Sequence, residues 1–210
     1  MWGGWYAHPE LMVEMKRCLS LMQQLMVSSK TTTHSQVAVL FDEKLPFRMH
    51  TNDPCMGLQK LVHDRFGNTG MTFDALLTED YPLSIHYEAV LLPYPAAYDT
   101  AEILKIKEFL HAKKIPYVQL TADDFDISAA ELRSKLKNLG VHCYCDSGDV
   151  IYHGNGYLAI HAAAAGLKTI TLPAMAQVTP VAPLDSDAVT TDVIQVEMQE
   201  FETRLYRTEF

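Results

Sequence analysis

The densest grouping of chemically capable side chains in this chain is His142, Cys143, Cys145, Asp146, Asp149 and His153. Imidazole, thiolate and carboxylate are the ligands zinc prefers. The spacing argues against a metal centre. Along a strand His142 and Tyr144 face one way while Cys143 and Cys145 face the other, and no zinc-family spacing is met. Buried thiols acting as small apolar side chains are the simpler reading, so no metal is assigned. Residues i and i+2 of a strand stand about 6–7 Å apart, too far for easy bridging. Reduced thiols in a cytoplasmic protein are therefore expected.

A second set of groups lies where an open parallel sheet binds ligands, at the carboxyl ends of its strands. Asp42 and Glu43 follow the apolar run Val37–Phe41, Tyr94 follows Pro93, and Asp123 and Asp124 come soon after Leu120. Asp42, Glu43, Tyr94 and Asp123 form the candidate crevice, with carboxylates suited to acid–base work or to holding a cation. The competing reading is that these acids only cap helices and shape turns. The segment Phe41–Pro46 lacks the glycines that admit a pyrophosphate, which excludes the common nucleotide-binding loops. Leu120–Phe125 has none of the small neighbours of a nucleophile elbow. Cys18 and Cys55 fall in predicted helices with no local His-containing signature. No catalytic residue and no cofactor is assigned.

The elements that would position these groups follow from the pattern of apolar residues. Pro9 and Glu10 suit a helix start. Leu11, Met12, Met15, Leu19, Met22, Leu25 and Met26 then recur at three- and four-residue spacing along one stripe. A polar run over 28–35 reads as a linker. From Gln36 the texture changes to buried parallel strands at Val37–Phe41, Met71–Leu77, Glu88–Leu92, Ile115–Leu120 and Val141–Cys145. Helices are expected over Pro54–Phe66, after a cap at Asp99 or Thr100, and after Ser128, whose capping-box partner is Glu131. Strands alternating with helices imply right-handed crossovers and a doubly wound parallel sheet.

Beyond this the strands become short and mostly alternating, at Asp149–Tyr152, Tyr157–Ala162, Lys168–Leu172, Val193–Val196 and Thr203–Tyr206, with Gly154-Asn155-Gly156 as a turn signal. They read as antiparallel, although Ala162–Ala165 could instead be helical. The organisation expected is residues 1–35 as an aromatic segment, helix and linker, 36–146 as the α/β domain, and 147–210 as a β-rich part.

The 210 residues suffice for a sizeable core. Seventeen basic against 26 acidic residues give a formal charge of −9, which argues against nucleic acid as a partner. No segment nears the roughly 20 apolar residues of a membrane helix. The N-terminus shows no basic region followed by an apolar stretch, so no signal peptide is expected there.

Taken in order, several motifs resemble one family. Trp2-Gly3-Gly4-Trp5-Tyr6 with Pro9–Met12 is similar to the segment leaving the catalytic barrel of β-galactosidase-type glycoside hydrolases. Val37–Lys44 resembles the first strand of their trimerisation domain. Gly140–His142, Asp146–Val150, Gly156–Ala162, Gly166–Pro173 and Glu202–Tyr206 are similar to its later part. The resemblance implies a flavodoxin-like sheet related to class I glutamine amidotransferases but without their catalytic cysteine. That family's catalytic carboxylates lie in the barrel, so no residue of this chain inherits them. The function implied is a non-catalytic assembly domain, forming a homo-oligomer (trimer or dimer) or packing on a glycoside hydrolase barrel. Trp2, Trp5, Tyr6, Met12 and Met15 are the interface candidates, since interface cores are enriched in aromatics and methionine; the competing reading is that they cover this domain's own core, because an apolar stripe looks the same in both cases. The alternatives are a sugar- or small-molecule-binding module and a divergent amidotransferase-like enzyme.

Overall fold

The computed structural model describes residues 8–28, 35–44, 65–80, 87–183 and 187–210. The chain divides into two compact units, Met1–Thr32 and Thr33–Phe210. In the first, α1 runs over Pro9–Ser28, with Glu10 in its first turn. Leu11 is half-buried, whereas Met12, Met15, Leu19 and Met22 are exposed. The expected stripe members Leu25 and Met26 lie in this helix, but their side chains fall outside the described residues, as do Trp2, Trp5 and Tyr6.

The second unit begins with β1 (Val37–Phe41), β2 (Phe73–Leu77), β3 (Ala89–Pro93) and β4 (Tyr117–Leu120). These form a parallel sheet in the order β2-β1-β3-β4. Val37, Ala38, Val39 and Leu40 are all buried, as is the whole of β3. A central strand covered on both faces needs such an uninterrupted apolar run.

Helix α2 (Thr100–Lys113) follows β3, and Asp99 caps it by accepting from the amides of Ala101 and Glu102. Helix α3 (Ala129–Lys137) follows β4. Ser128 accepts from the Glu131 amide, and the Glu131 carboxylate accepts in return from the Ser128 amide. Each helix sends a short apolar stripe into the core, Ile103, Ile106 and Leu110 from α2 and Leu132 and Leu136 from α3.

The expected fifth parallel strand, Val141–Cys145, is not a strand. This segment is extended but joins no ladder. The Tyr144 amide donates to the Gly70 carbonyl at 2.8 Å, and the Tyr144 carbonyl accepts from the Thr171 amide at 2.8 Å. It therefore links the loop before β2 to the antiparallel sheet. Gly70 makes this possible: its φ is +71°, and a Cβ there would fall 1.8 Å from the Cys145 carbonyl oxygen. Ala162–Ala165 is a bend and not a helix, because Ala162 exchanges backbone bonds with Phe201 and Glu202 and the Ala163 amide donates to Asp149. The helix expected over Pro54–Phe66 lies almost wholly outside the described residues.

The β-rich part is a separate antiparallel sheet in the order β5-β6-β9-β7-β8. Its strands are β5 (Val150–Gly154), β6 (Tyr157–His161), β7 (Gly166–Ala182), β8 (Val189–Met198) and β9 (Thr203–Glu209). Asn155 and Gly156 join β5 to β6, both with positive φ, as a tight two-residue hairpin requires. β7 is 17 residues long and continues well beyond Pro173. The register against β8 shifts between Thr171 and Ala176. A bulge there absorbs the proline, which cannot donate to a regular ladder. Leu158, Ile160, Ile170 and Tyr206 centre the core of this sheet. The architecture is mixed α/β, a four-stranded parallel sheet joined to a five-stranded antiparallel one.

Candidate functional site

Beyond its paired end, β1 turns sharply. Asp42 is buried, and its Oδ1 accepts from the Lys44 amide at 2.8 Å. Phe41 pairs with Leu77 in the parallel register. Glu43 and Glu79 each lie two residues past that pair, so the two carboxyls come out side by side. Burial first, then the contact with Glu79 and its charge, raise the Glu43 carboxyl above the usual range, with Glu102 adding to the rise and Lys44 opposing it.

Between them Thr78 opens a single helical turn, Thr78–Asp80. Thr78 is 2% exposed, and its hydroxyl meets no hydrogen-bond partner. Oxygen Oε2 of Glu43 is likewise buried and unpartnered. Thr78 borders a cavity of about 500 Å³ that is also lined by Lys44, Glu79, Asp99, Glu102 and Lys105. Asp99 already serves the α2 amides at 3.0 and 3.2 Å.

The four residues expected to form one crevice are therefore spread along the sheet end. Glu43 precedes Lys44, which lines the cavity just described, and Asp42 is buried in the same turn. Tyr94, at φ +57°, faces β4: its amide donates to the Leu120 carbonyl at 2.8 Å and its ring meets Phe125 edge-on at 5.4 Å. Tyr98 closes the seam between the two groups, its hydroxyl lying 2.6 Å from the Leu40 carbonyl and 2.7 Å from that of Pro93. Asp123 borders a different depression, of about 640 Å³, with Asp124, Glu131 and Lys135. There the acids are in use. The Thr121 amide, the Thr121 hydroxyl and Lys135 donate to Asp124 and hold its carboxyl below the ordinary value.

Sequence reasoning missed Thr78, Glu79 and Glu102. The rule that selected Asp42 and Tyr94, applied to the end of β2, points directly to Thr78-Glu79. Glu102 belongs to the first turn of α2, where an acid is expected for the helix dipole alone.

The His/Cys/Asp grouping is divided among separate tasks. A ring nitrogen of His142 meets the Thr171 carbonyl at 2.8 Å. His153 sits between the Tyr144 hydroxyl at 3.0 Å and the Thr208 hydroxyl at 3.2 Å. Burial, then the nearby His142, lower its pKa. Burial pushes the Cys145 thiol up to about 11 and also raises that of Cys143. Asp149 is fully buried and accepts from Lys168 at 2.8 Å, the Ala163 amide at 2.8 Å and the Ser147 hydroxyl at 2.5 Å. Among the described residues, no three His, Cys, Asp or Glu side chains converge as a metal-holding group.

A larger groove of about 700 Å³ runs between the outer strands β2 and β5, walled by Phe73, Ala75, Val150 and Tyr157. It is mainly apolar. Chemically, the sheet-end cavity is lined by the carboxylates of Glu79, Asp99 and Glu102 and by Lys44 and Lys105. No helix among the described residues is long and apolar enough to cross a membrane.

No protein-family profile, curated protein or solved structure matches the chain.

Proposed function

We propose that this chain is a non-catalytic assembly domain, of the kind that trimerises β-galactosidase-type glycoside hydrolases. The observation that carries the reading is the apolar face of α1. Met12, Met15, Leu19 and Met22 share one stripe and are 40%, 48%, 56% and 57% exposed. A helix of this composition gains most of its stability from burying such a stripe. Methionine suits an adaptable contact surface, and the surface proposed to cover this one is another subunit or a hydrolase barrel.

Two further observations support the reading. The order β2-β1-β3-β4 matches the first four positions of a flavodoxin-like sheet, the fold the resemblance implies. Cys18, Cys143 and Cys145 are free thiols, in keeping with a reducing cytoplasmic setting.

The test is sedimentation of the whole chain with and without Met15→Glu and Leu19→Glu. Each apolar side chain removed from an interface costs about 1.5–3 kcal/mol, so the pair weakens association by roughly two to four orders of magnitude. Undiminished self-association of the double variant refutes the placing of the interface on α1.

A further inference from the structure

We propose that Tyr144, His153 and Thr208 form a proton-operated latch between the two sheets, closed at neutral pH and opened by mild acid while each sheet keeps its own core. This goes beyond assembly and does not rest on it.

The latch sits where the chain leaves one core for the other. Among the described residues, the buried core of the parallel sheet ends at Val141, with Cys143 packed against it, and that of the antiparallel sheet begins at Tyr144. Tyr144 ties both sides: its amide donates to the Gly70 carbonyl and its carbonyl accepts from the Thr171 amide, each at 2.8 Å. Its side chain is held by β5 and β9. The hydroxyl lies 3.0 Å from Nδ1 of His153, and Nε2 of that ring lies 3.2 Å from the Thr208 hydroxyl. His142 meets the Tyr144 ring edge-on at 4.7 Å, and Phe210 meets the His153 ring edge-on at 5.9 Å.

A neutral imidazole offers one donor and one acceptor nitrogen. Whichever nitrogen accepts, the hydroxyl facing it donates. A protonated ring donates from both nitrogens, so that hydroxyl has to turn its own proton away. Tyr144 and Thr208 are each 3% exposed, and neither hydroxyl has a second acceptor among the described residues. In either tautomer a buried O–H is left unmatched, which is costly. Charge acts in the same direction. The groups round the ring are Tyr144 and His142 from the connector, Thr208 and Phe210 from β9, and Leu158 opposite it on β6. Of these, His142 repels a second cation, while Glu88 bears on Tyr144 and not on the His153 ring. The closed latch therefore rejects a proton that an open one takes up at the ordinary 6.5. Below that value opening gains up to about tenfold for each pH unit, until the closed ring itself titrates.

The experiment is amide hydrogen exchange of the full chain by NMR, read as protection factors from pH about 7.5 to about 5. The Tyr144 and Thr171 amides, which bond across the joint, should lose up to about thirtyfold in protection, while Leu91 in β3 and Ile160 in β6 keep theirs. His153→Gln retains a donor and an acceptor but does not titrate, and it should abolish the loss. His142→Gln should leave the loss in place. Unchanged protection of Tyr144 and Thr171 down to pH about 5 overturns the proposal. Equal loss at Leu91 and Ile160, or a loss that persists in His153→Gln, overturns it as well. If His153→Gln does not fold, the wild-type imidazole titration by NMR decides: a His153 midpoint below 6.5 supports the latch, and one at or above 6.5 overturns it.

Discussion

Replacing Lys168 with methionine isolates what the one deeply buried ion pair among the described residues contributes. Asp149 is 0% and Lys168 5% exposed in their side chains, with 2.8 Å between Oδ1 and Nζ. Burial alone would raise the Asp149 carboxyl, but the bonds from Lys168, Ser147 and the Ala163 amide outweigh it and hold the group below its ordinary 3.8. Methionine keeps the aliphatic stem of lysine and removes the charge, leaving a buried carboxylate with two neutral donors. Orphaning a buried charge costs about 3–5 kcal/mol. With a urea slope of about 2 kcal/mol/M, the midpoint falls by roughly 1.5–2.5 M.

The pH dependence has a defined sign. In the wild type the depressed carboxyl contributes stability above 3.8, lost only as pH falls through its still lower folded value. In Lys168→Met the carboxyl rises, so acidification from neutral toward pH ~5 restores part of the loss. Adding Asp149→Asn to Lys168→Met neutralises the orphan and should recover at least half of it. Urea unfolding followed by circular dichroism reads all of this. A cost below about 1 kcal/mol, well under the figure for an orphaned buried charge, or a double variant no more stable than the single, refutes the reasoning.

Two further outcomes are expected. His153 is held neutral by burial, then by His142, with its folded pKa below 6.5. Its contribution is complete above 6.5 and lost as pH falls from there through the folded value, so His153→Gln should flatten the stability profile of the wild type in that window. An unchanged profile would remove His153 from the account. Gly70→Ala places a Cβ 1.8 Å from the Cys145 carbonyl at a φ of +71°. The strain and the disturbed Tyr144–Gly70 bond should cost about 2–3 kcal/mol and lower Tm by roughly 5–10 °C in a chain of this size, and an unchanged melting curve would contradict the close approach.

What was legible in the sequence was local. The continuous run Val37–Phe41 could only be a strand covered on both faces, and Asp99 and Ser128 announced their helices because capping chemistry acts over three residues. Asn155-Gly156 likewise marked its hairpin. What escaped depended on partners distant in sequence. Val141–Cys145 has the composition of a strand, but its bonds go to Gly70 and Thr171. β7 was cut short at Pro173 because a proline normally ends a ladder, and the bulge that admits it is set by β8. Lys168 pairs with Asp149 nineteen positions away, and Glu79 comes to the same sheet end as Glu43 only through the β1–β2 register. Tyr94 and Asp123 sit at strand ends as expected, yet Tyr98 and Phe125 separate them from the acidic pair.

The most direct test of the assembly reading is the solution mass of the purified chain, by size exclusion with light scattering across a micromolar concentration series. A species of two or three times the 23.6 kDa protomer is expected, with three favoured by the resemblance. A monomer of 23.6 kDa throughout the series contradicts it.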